Sequence, residues 1–517
     1  MIRILTLALV LATLSACGVV NDPGMPESAA STTNGAITRA AKTYAVTATI
    51  TGLSGPGLTL ELNGGQPVPV LGNGPVTFAA ALANGAAYAV TVQTQPSTPR
   101  VMCSISNGSG AVTGANVTNV AVNCAKMIGF MYQAQGFVAQ TQVSDEIFSY
   151  GIAAGSGALL PLGNPIVSGS QPGSWPSMAS GPDGKFLYVG DALSGTISIY
   201  AVDSDTGALT ALDSVSTPGL EPTQMLMTAS GFLFVASNLP AASGQSSATA
   251  LSTFAVNSTT GALTPTGTPL TFDEDSWFVF AATPDGKWLY LMVADLLGTP
   301  ALQTLTAYAI DPATGALTPG RMLSWTPTEP NDPNLPGQSI AIDPLGRYLY
   351  LASVQSTPMQ PAATVLPYAI NSATGALTPI GPGTQVASQP GQTVGSMVVD
   401  PMGRYLYVLD QLNYAPANHT VTALAIDQST GAVSAIGSAS TGSGPNNGDP
   451  GSVVCDPSGQ FVYVVDMNSA GTFPAELAAF TISASASSAG QLIPIGLYNE
   501  LPPTQFFVGG SAIALVE

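Results

Sequence analysis

The sequence Asp400-Pro-Met-Gly-Arg-Tyr-Leu-Tyr-Val408 decides the fold of this chain, because variants of it recur throughout residues 126–517. Each variant is a tight turn followed by an aromatic and aliphatic run, and the variants begin at Pro182, Pro284, Asp343, Asp400 and Asp456, with a shortened copy at Ser230. Glycine permits the positive φ of such a turn, while Asp and Pro favour the preceding bend. The motif therefore predicts a turn and a strand, and it predicts structural rather than ligand-binding roles for Arg347 and Arg404.

A second marker, Thr-Gly-Ala-Leu, repeats at a similar spacing. It begins at Thr206, Thr260, Thr314 and Thr374, and variants begin at Gly157, Thr430 and Ala489. These seven copies divide residues 126–517 into repeats of about 56 residues, enough for four short strands, with no helical periodicity. The repeats predict an all-β, seven-bladed propeller. The first repeat lacks an inner strand and residues 510–516 supply one, so the last strand should complete the first blade.

Residues 43–125 are predicted to form a separate, small β-sandwich. Short alternating runs such as Tyr44–Ile50 and Tyr88–Val92 are separated by Gly, Asn and Pro, which is typical of antiparallel strands. The segment resembles the immunoglobulin-like or transthyretin-like modules of bacterial surface lipoproteins, and its predicted role is that of a spacer. Cys103 and Cys124 lie close together in it and are predicted to form a disulfide. Cys455 is expected to be a buried, unreactive thiol.

The first residues have the features of an export signal. A basic start is followed by an apolar run and by Leu14-Ser-Ala-Cys17, which resembles the lipobox of bacterial lipoproteins. The resemblance implies a signal peptide over residues 1–16, lipidation of Cys17 and, because Gly18 is not Asp, an outer-membrane lipoprotein facing the periplasm or the cell surface. The alternative is an ordinary signal peptide that contains a cysteine. Residues 17–42 are rich in small and polar residues and are predicted to be a flexible tether.

The composition excludes two classes of protein. Hydrophobic residues make up 45% of the chain, charged residues make up 8%, and the mean hydropathy is +0.33. The chain can therefore bury a large core and is not intrinsically disordered. Lys and Arg number 10 against 29 Asp and Glu, which gives a net charge of −19. A nucleic acid would meet a repulsive field, so nucleic-acid binding is excluded.

The repeat resembles the lactonase family of seven-bladed β-propellers, which includes bacterial 6-phosphogluconolactonase and a fungal muconate-lactonizing enzyme. The resemblance rests on the turn-and-strand motif and on Tyr308-Ala-Ile-Asp-Pro-Ala-Thr-Gly-Ala-Leu-Thr-Pro319. It implies the propeller fold from about Lys126 to the C-terminus. In catalytic members it also implies Arg and His side chains on the face where the inner strands begin.

This chain departs from the family at those inner-strand positions. The matching residues are Ser177, Gln224, Val279, Ser339, Ser396, Ser452 and Ser511, and none of them is Arg or His. A phosphorylated sugar lactone is therefore not the expected substrate. Ser339, Ser396 and Ser452 are instead predicted to bind a ligand at the mouth of the central channel. The alternative is that these small residues simply leave the channel to water.

Loops on the same face supply further candidates. Aromatic and polar residues that suit sugar binding occur at Trp175, Trp277, Trp325, Tyr414, Phe506 and Asp332. The catalytic candidates are His419, the single histidine, and the carboxylates of Asp273, Glu274 and Glu329. The alternatives are aromatic residues that only pack within loops and a solvated histidine without an orienting partner.

Most second strands end in a residue with a side-chain oxygen, namely Asp191, Asn238, Asp295, Ser353, Asp410 and Asp466. Carboxylates around a rim suit a hard cation such as calcium. Equivalent positions are spread around a ring, however, and a strand-ending Asp commonly caps its own loop. No metal or other cofactor is therefore predicted, and calcium is the alternative.

The sequence is compatible with two functions. One is a monomeric, lipid-anchored envelope protein whose propeller binds a glycan, a peptide or a protein partner without the family's catalytic Arg and His. The other is a hydrolase of a neutral sugar lactone or a related carbohydrate, similar to 6-phosphogluconolactonase. The scarcity of His and Arg favours binding, whereas the family resemblance and the Asp and Glu clusters favour hydrolysis. The sequence leaves open whether the protein is an enzyme.

Overall fold

The computed structural model describes residues 42–98, 100–139, 142–169, 177–191, 194–239, 248–272, 276–295, 302–325, 335–357, 360–386, 392–412, 419–441, 450–466, 476–499 and 506–516. The regular secondary structure of these residues is entirely β-strand, which confirms the predicted fold class. In this described part of the chain, no helical segment has the length and apolar character needed to span a bilayer.

The small N-terminal domain packs its sheets around one core. Its strands are β1 (Thr43–Tyr44), β2 (Val46–Thr51), β3 (Thr59–Leu62), β4 (Val68–Pro69), β5 (Gly74–Thr77), β6 (Leu82–Ala83), β7 (Ala87–Thr94), β8 (Val101–Ser106) and β9 (Ser109–Ala111). One sheet has the order β4-β3-β7-β9, and β1 pairs with β6. Val46, Leu60 and Val122 are among the fully buried side chains of the core. Cys103 and Cys124 form the predicted disulfide in this core.

The propeller consists of seven blades. Blade 1 contains β10 (Val117–Ala139), β11 (Gln142–Ala153), β12 (Leu159–Pro161) and β13 (Ile166–Gly169). Blade 2 contains β14 (Ser177–Ser180), β15 (Phe186–Asp191), β16 (Thr196–Val202) and β17 (Leu209–Ser216). Blade 3 contains β18 (Leu220–Met227), β19 (Phe232–Asn238), β20 (Thr249–Val256) and β21 (Leu263–Phe272). Blade 4 contains β22 (Ser276–Ala282), β23 (Trp288–Asp295), β24 (Leu302–Ile310) and β25 (Leu317–Trp325).

The remaining blades follow the same order. Blade 5 contains β26 (Leu335–Ile342), β27 (Tyr348–Thr357), β28 (Gln360–Ile370), β29 (Leu377–Pro379) and β30 (Thr384–Gln385). Blade 6 contains β31 (Gln392–Val399), β32 (Tyr405–Leu412), β33 (Thr420–Ile426) and β34 (Val433–Ser440). Blade 7 contains β35 (Pro450–Cys455), β36 (Phe461–Asp466), β37 (Glu476–Ile482) and β38 (Leu492–Asn499). The last strand is β39 (Phe506–Val516).

The two ends of the ring meet in blade 1. There β39 takes the inner position and pairs antiparallel with β10, from Phe130 opposite Val516 to Val138 opposite Phe506. On its other edge β10 pairs with β11. Blade 1 thus joins the C-terminal strand to strands from the start of the propeller, which leaves no open edge between the first and last blades.

A single strand, β10, runs through both domains. Its first part pairs with β2 and β8 of the small domain, and its second part pairs with β39 and β11. Arg100 adds contacts at the junction, because its Nε donates to Ser204 O at 3.0 Å and its guanidinium lies 5.8 Å from the ring centroid of Phe130. The backbone N–H of Arg100 also donates to Asp205 O at 3.2 Å. The expected boundary between residues 125 and 126 therefore falls inside a continuous strand.

The two sequence markers contact each other across blade boundaries. The first aromatic residue of each second strand packs on the glycine of the next blade's Thr-Gly turn, and all seven of these glycines have positive φ. The pairs are Phe130 with Gly207, Phe186 with Gly261, Phe232 with Gly315, Trp288 with Gly375, Tyr348 with Gly431, Tyr405 with Gly490, and Phe461 with Gly157. A Cβ at these glycines would overlap the ring, so glycine is needed for close approach as well as for the turn.

Two residues later, a buried tyrosine reaches the same turn. The hydroxyls of Tyr132, Tyr188, Tyr290, Tyr407 and Tyr463 donate to the carbonyl oxygens of Gly207, Gly261, Gly375, Gly490 and Gly157 at 2.7–3.1 Å. Burial raises the pKa of these phenols, to about 12 for Tyr188, so each donates as a neutral hydroxyl. Blade 3 has Phe234 at this position. In blade 5 the buried hydroxyl of Tyr350 has no hydrogen-bond partner among the described residues.

The Asp-Pro-x-Gly-Arg turns are organised by a buried carboxylate. Asp343 Oδ1 accepts hydrogen bonds from the backbone N–H groups of Arg347 and Tyr348, and Asp343 Oδ2 lies 2.9 Å from Arg347 Nε. Asp400 makes the same set of contacts in blade 6 with the two residues at the matching positions, Arg404 and Tyr405. Both carboxylates are completely buried. These contacts agree with the structural role predicted for the two arginines.

One buried position breaks the pattern of the second strands. The residue that follows the tyrosine or phenylalanine is aliphatic in six blades, namely Val189, Val235, Leu291, Leu351, Val408 and Val464. Blade 1 has Gln133 instead, which is fully buried and whose two amide atoms have no hydrogen-bond partner among the described residues. A buried amide without a partner costs about 1–3 kcal/mol. Gln133 therefore weakens the blade that closes the ring.

Candidate functional site

A central cavity is formed mainly by the inner strands of blades 3 to 7. It has a volume of about 560 Å³ and is lined by Thr223, Gln224, Asn238, Thr249, Val279, Phe280, Ser339, Ile340, Gly395, Ser396, Met397, Gly451 and Ser452. Most of these residues belong to inner strands, whereas Asn238 ends β19 and Thr249 begins β20. The cavity therefore lies on the face that carries the loops following the second strands.

Five of the seven inner-strand positions chosen from the sequence line this cavity, namely Gln224, Val279, Ser339, Ser396 and Ser452. Ser177 is buried instead, and its hydroxyl donates to Pro222 O at 2.7 Å. Ser511 lies in β39, but its side chain is outside the described part of the chain. The ring of hydroxyls expected from the sequence is thus concentrated on blades 5, 6 and 7.

The described lining is uncharged and combines polar residues with the apolar side chains of Val279, Phe280, Ile340 and Met397. Among the described residues that line the cavity there is no Asp, Glu, Lys, Arg or His. Hydroxyls, amides and the backbone around Gly395 and Gly451 supply the polar groups, and Ser396 Oγ accepts from the Val453 N–H at 3.4 Å. Such groups exchange hydrogen bonds with hydroxyls but contain no cation that would neutralise an anion.

Blade 3 supplies the two side-chain amides of the lining. Gln224 Nε2 donates to Phe280 O of blade 4 at 3.1 Å, and Asn238 Nδ2 donates to Glu221 Oε2 at 2.8 Å. Glu221 has a φ of 54° and lies within the first of two irregularities in the pairing of β18 with β19, just before Pro222. Residues other than glycine are strained in this region, and such strain is common beside functional sites.

His419 is buried in blade 6 rather than solvated in a loop. Its side chain is completely buried, and Nδ1 lies 3.2 Å from Asp410 O and 3.9 Å from Asp410 Oδ1. The Asp410 carboxylate in turn accepts from the backbone N–H and the hydroxyl of Thr420 at 2.6 and 2.8 Å. The interpretation of His419 as a solvated residue without an orienting partner is therefore wrong. Asp410 pairs with Val394, the neighbour of the lining residue Gly395, so the pair lies one strand behind the cavity wall.

The ends of the second strands make local contacts. Asp191 Oδ1 accepts from the backbone N–H of Ser194 at 3.2 Å, and Asp410 caps Thr420 as described above. No group of three His, Cys, Asp or Glu side chains that could hold a metal ion occurs within the described residues. The side chains of Asp295, Ser353 and Asp466 lie outside the described part. Cys455 is half-buried, and burial raises the pKa of its thiol well above the usual range.

Several predicted residues lie outside the described part of the chain. These are Cys17, Trp175, Asp273, Glu274, Glu329, Asp332 and Tyr414, together with the predicted signal peptide and most of the tether, 1–41. Trp277, Trp325 and Phe506 belong to strands β22, β25 and β39, but their side chains are not among those described. Their roles in binding or catalysis stay predictions.

Sequence reasoning missed Thr223, Thr249 and Glu221. Thr223 immediately precedes the chosen inner-strand position Gln224, and Thr249 begins the third strand, so the repeat alignment could have found both. Nothing in the sequence indicates that Glu221 holds Asn238, because that contact depends on an irregular strand and a positive φ. This residue is visible only in the structure.

Comparison with known proteins connects this geometry to a family. The sequence profile described as "Lactonase, 7-bladed beta-propeller" matches residues 177–280 and 281–447. Among curated protein sequences, none matches this chain.

Three solved bacterial structures share the propeller fold. A putative 6-phosphogluconolactonase from Bacteroides fragilis is 18% identical, with a TM-score of 0.50 over 75% of this chain and 98% of that one. A second putative 6-phosphogluconolactonase, from Bacteroides uniformis, is 16% identical, with a TM-score of 0.52 over 75% and 99%. A protein from Lactobacillus plantarum is 18% identical, with a TM-score of 0.51 over 75% and 100%. At these identities the likeness shows the fold alone, whereas the profile covers more than half of the chain. The chain therefore belongs to the lactonase family of seven-bladed β-propellers.

Proposed function

We propose that this protein is a non-catalytic member of the lactonase family whose central cavity binds a short neutral glycan. The observation that carries the proposal is the lining itself, which offers hydroxyls and amides and, among the described residues, no charged or imidazole group. The cavity volume of about 560 Å³ lies within the range of small-molecule sites.

Electrostatics favours a neutral ligand over an anionic one. A phosphate or carboxylate is normally held by Arg or Lys side chains that neutralise its charge. The described lining contains neither, and the chain carries a net charge of −19, which repels anions. A neutral sugar avoids both penalties, because its hydroxyls exchange water for the hydroxyls and amides of the wall.

Hydrolysis of a neutral sugar lactone is the second candidate function. Membership of the lactonase family and the His419–Asp410 contact next to the cavity wall favour it. Hydrolysis needs a base within hydrogen-bond reach of the attacking water and donors that stabilise the oxyanion. His419 is completely buried, so its imidazole does not reach a ligand in the cavity. This burial favours binding over turnover.

The location we propose is the outer membrane, through a lipid on Cys17. The support is the sequence Leu14-Ser-Ala-Cys17, which lies outside the described residues, together with a disulfide that suits an oxidising compartment. Mass spectrometry of the mature N-terminus tests this part of the proposal independently. A lipidated cysteine at position 17 is expected, and an unmodified N-terminus at another residue would overturn the anchored location.

The binding proposal is tested with purified protein that begins at Gly18. Calorimetry against a panel of neutral hexoses and disaccharides, the matching uronic acids and sugar phosphates should detect only the neutral members. The substitution Ser452→Tyr fills the cavity and should abolish binding, while Ser434→Tyr, on the exposed face of the outer strand β34, should not change it. Turnover of neutral lactones that is lost in Ser452→Tyr alone would establish the hydrolase instead. Absence of both binding and turnover would refute a carbohydrate function.

A further inference from the structure

The turn that starts the second strand of blade 7 contains a buried carboxylate without a cation. In blades 5 and 6 the equivalent carboxylates, Asp343 and Asp400, form ion pairs with the arginine four residues later, at 2.9 and 2.8 Å. Blade 7 has Asp456 at this position, and the fourth residue after it is Gln460. Asp456 is completely buried, and among the described residues no Lys or Arg forms an ion pair with it.

Hydrogen bonds take the place of the ion pair in this turn. Asp456 Oδ1 accepts from the backbone N–H groups of Gln460 and Phe461 at 2.9 and 2.6 Å. Asp456 Oδ2 accepts from the backbone N–H of Ser458 at 3.1 Å and from the Ser458 hydroxyl. All four partners are donors, which suits a carboxylate, yet none of them carries a positive charge. A buried negative charge is stabilised further when a cation is placed beside it.

A small cavity lies beside this carboxylate. It has a volume of about 120 Å³ and is lined by Ile128, Gly129, Ile152, Asp456, Pro457, Ser458, Leu515 and Val516. The repeat explains its position. In blade 6 the guanidinium group of Arg404 donates from Nη2 to Gly459 O, in the turn of the next blade, at 3.0 Å. Ile128 is the residue of blade 1 equivalent to Gly459, because each lies two residues before the first aromatic residue of its second strand. The cavity is therefore lined by the two residues, Asp456 and Ile128, that an arginine at position 460 would contact.

We propose that this cavity binds the guanidinium group of a ligand, which takes the place of the arginine that blade 7 lacks. The volume is about four times that of a water molecule in the liquid, which is enough for the planar head group of a guanidino compound. The apolar residues of the wall are Ile128, Ile152, Leu515 and Val516. Such walls suit a guanidinium group better than an ammonium group, because the guanidinium group is more weakly hydrated. A metal ion needs several ligands, and no group of three metal-ligating side chains occurs within the described residues.

A guanidinium group bound here would join the two blades that meet where the ring closes. Ile128 and Val516 belong to blade 1, whereas Asp456 directly follows β35 of blade 7. Arg404 makes the corresponding connection from blade 6 to blade 7. The site also adjoins the small domain, because Lys126 is the last residue of β10 that pairs with β8. It shares no lining residue with the central cavity, so the inference does not depend on glycan binding.

The test is calorimetric binding of methylguanidinium chloride, at millimolar concentrations, to purified protein that begins at Gly18. We expect one site per chain, and methylammonium should bind about tenfold more weakly. Gln460→Arg supplies the missing guanidinium group within the chain, so methylguanidinium binding should be lost and the Tm should rise. Gln460→Met is the matched control, because its side chain has a similar length and no charge, and it should retain binding. Ser452→Tyr fills the central cavity and should also retain it.

An arginine-containing tripeptide with blocked termini distinguishes the two sources of the guanidinium group. Tighter binding of the tripeptide than of methylguanidinium would support an arginine side chain of a protein partner, and the reverse order would support a free guanidino compound. Unchanged methylguanidinium binding in Gln460→Arg would overturn the site, and so would equal loss of binding in Gln460→Arg and Gln460→Met. Absence of binding to the unsubstituted protein, or methylammonium binding as tight as that of methylguanidinium, would also overturn the proposal. The proposed glycan binding would stand in each of these cases.

Discussion

Replacing Tyr290 or Tyr350 by phenylalanine removes the same hydroxyl from equivalent places in adjacent blades, yet the structure predicts opposite effects. Tyr290 donates to Gly375 O at 2.9 Å, and the substitution leaves that carbonyl without the bond. The Tyr350 hydroxyl is buried without a hydrogen-bond partner among the described residues. The Tyr290→Phe variant should therefore lose about 1–2 kcal/mol of stability, while Tyr350→Phe should be neutral or gain up to about 1 kcal/mol.

Scanning calorimetry of the two variants measures this difference. An unfolding entropy of about 2.1 cal/mol/K per residue gives about 0.8 kcal/mol/K for residues 126–517, so the expected Tm change is about −1 to −2.5 °C for Tyr290→Phe. The expected change for Tyr350→Phe is between zero and about +1 °C. Phe234 already occupies this position in blade 3, so the ring itself is accommodated. Equal Tm shifts in the two variants, or a larger loss in Tyr350→Phe, would refute the assignment of blade-to-blade bonds.

Three further predictions follow from contacts of the described residues. Gln133→Val gives blade 1 the aliphatic residue of the other blades and should raise stability by about 1–3 kcal/mol, measured as a higher denaturant midpoint; a lower midpoint would mean that the amide has a partner. Arg100→Ala should cost about 1 kcal/mol at the domain junction, and unchanged amide exchange in the turn at residues 204–207 would contradict this. Hydrogen bonds from neighbouring hydroxyls lower the pKa of the carboxyls of Asp203, Asp311 and Asp427 below the usual range. A depressed pKa contributes stability above the unfolded value of about 4 that is lost as the pH falls through the folded value. Tm should therefore drop below about pH 4, and less steeply when all three are replaced by Asn.

The repeat motifs predict the propeller because the contacts between neighbouring blades depend on the residues of these motifs. Gly375 must accept both a positive φ and the face of Trp288, and Tyr290 must reach its carbonyl. The ring and glycine pair occurs in all seven blades and the tyrosine bond in five, so both are visible as periodicity in a single sequence. The contact between the turn-and-strand motif and the Thr-Gly turn was not predicted, because the two motifs were interpreted as separate turns of one blade. Each motif in fact contacts the neighbouring blade, so the contacting residues are about 80 positions apart in the sequence. Tyr290 and Gly375, for example, are 85 positions apart.

The cavity was predictable to the extent that it is built from the repeat. Matching equivalent positions of the inner strands found Gln224, Val279, Ser339, Ser396 and Ser452, since those positions are fixed by the repeat. Departures from the repeat were not predictable. Ser177 turns its hydroxyl to Pro222 O, and the loop histidine, His419, is drawn into the protein beside Asp410. Both outcomes depend on contacts with residues elsewhere in the fold, and the residue types Ser and His do not indicate those contacts.

The path of β10 gives the cavity a direction relative to the N-terminus. Val117 pairs with Val46 near the start of the described chain, and Val138 pairs with Phe506, where the inner strand β39 begins. The strand has 23 residues, and at about 3.3 Å each it spans at most about 75 Å. Asn238, which lines the cavity, pairs with Leu220 at the start of an inner strand, so the cavity extends toward the end of the propeller at which β10 ends. The described N-terminus and the small domain therefore lie toward the opposite end of β10 from this side of the cavity.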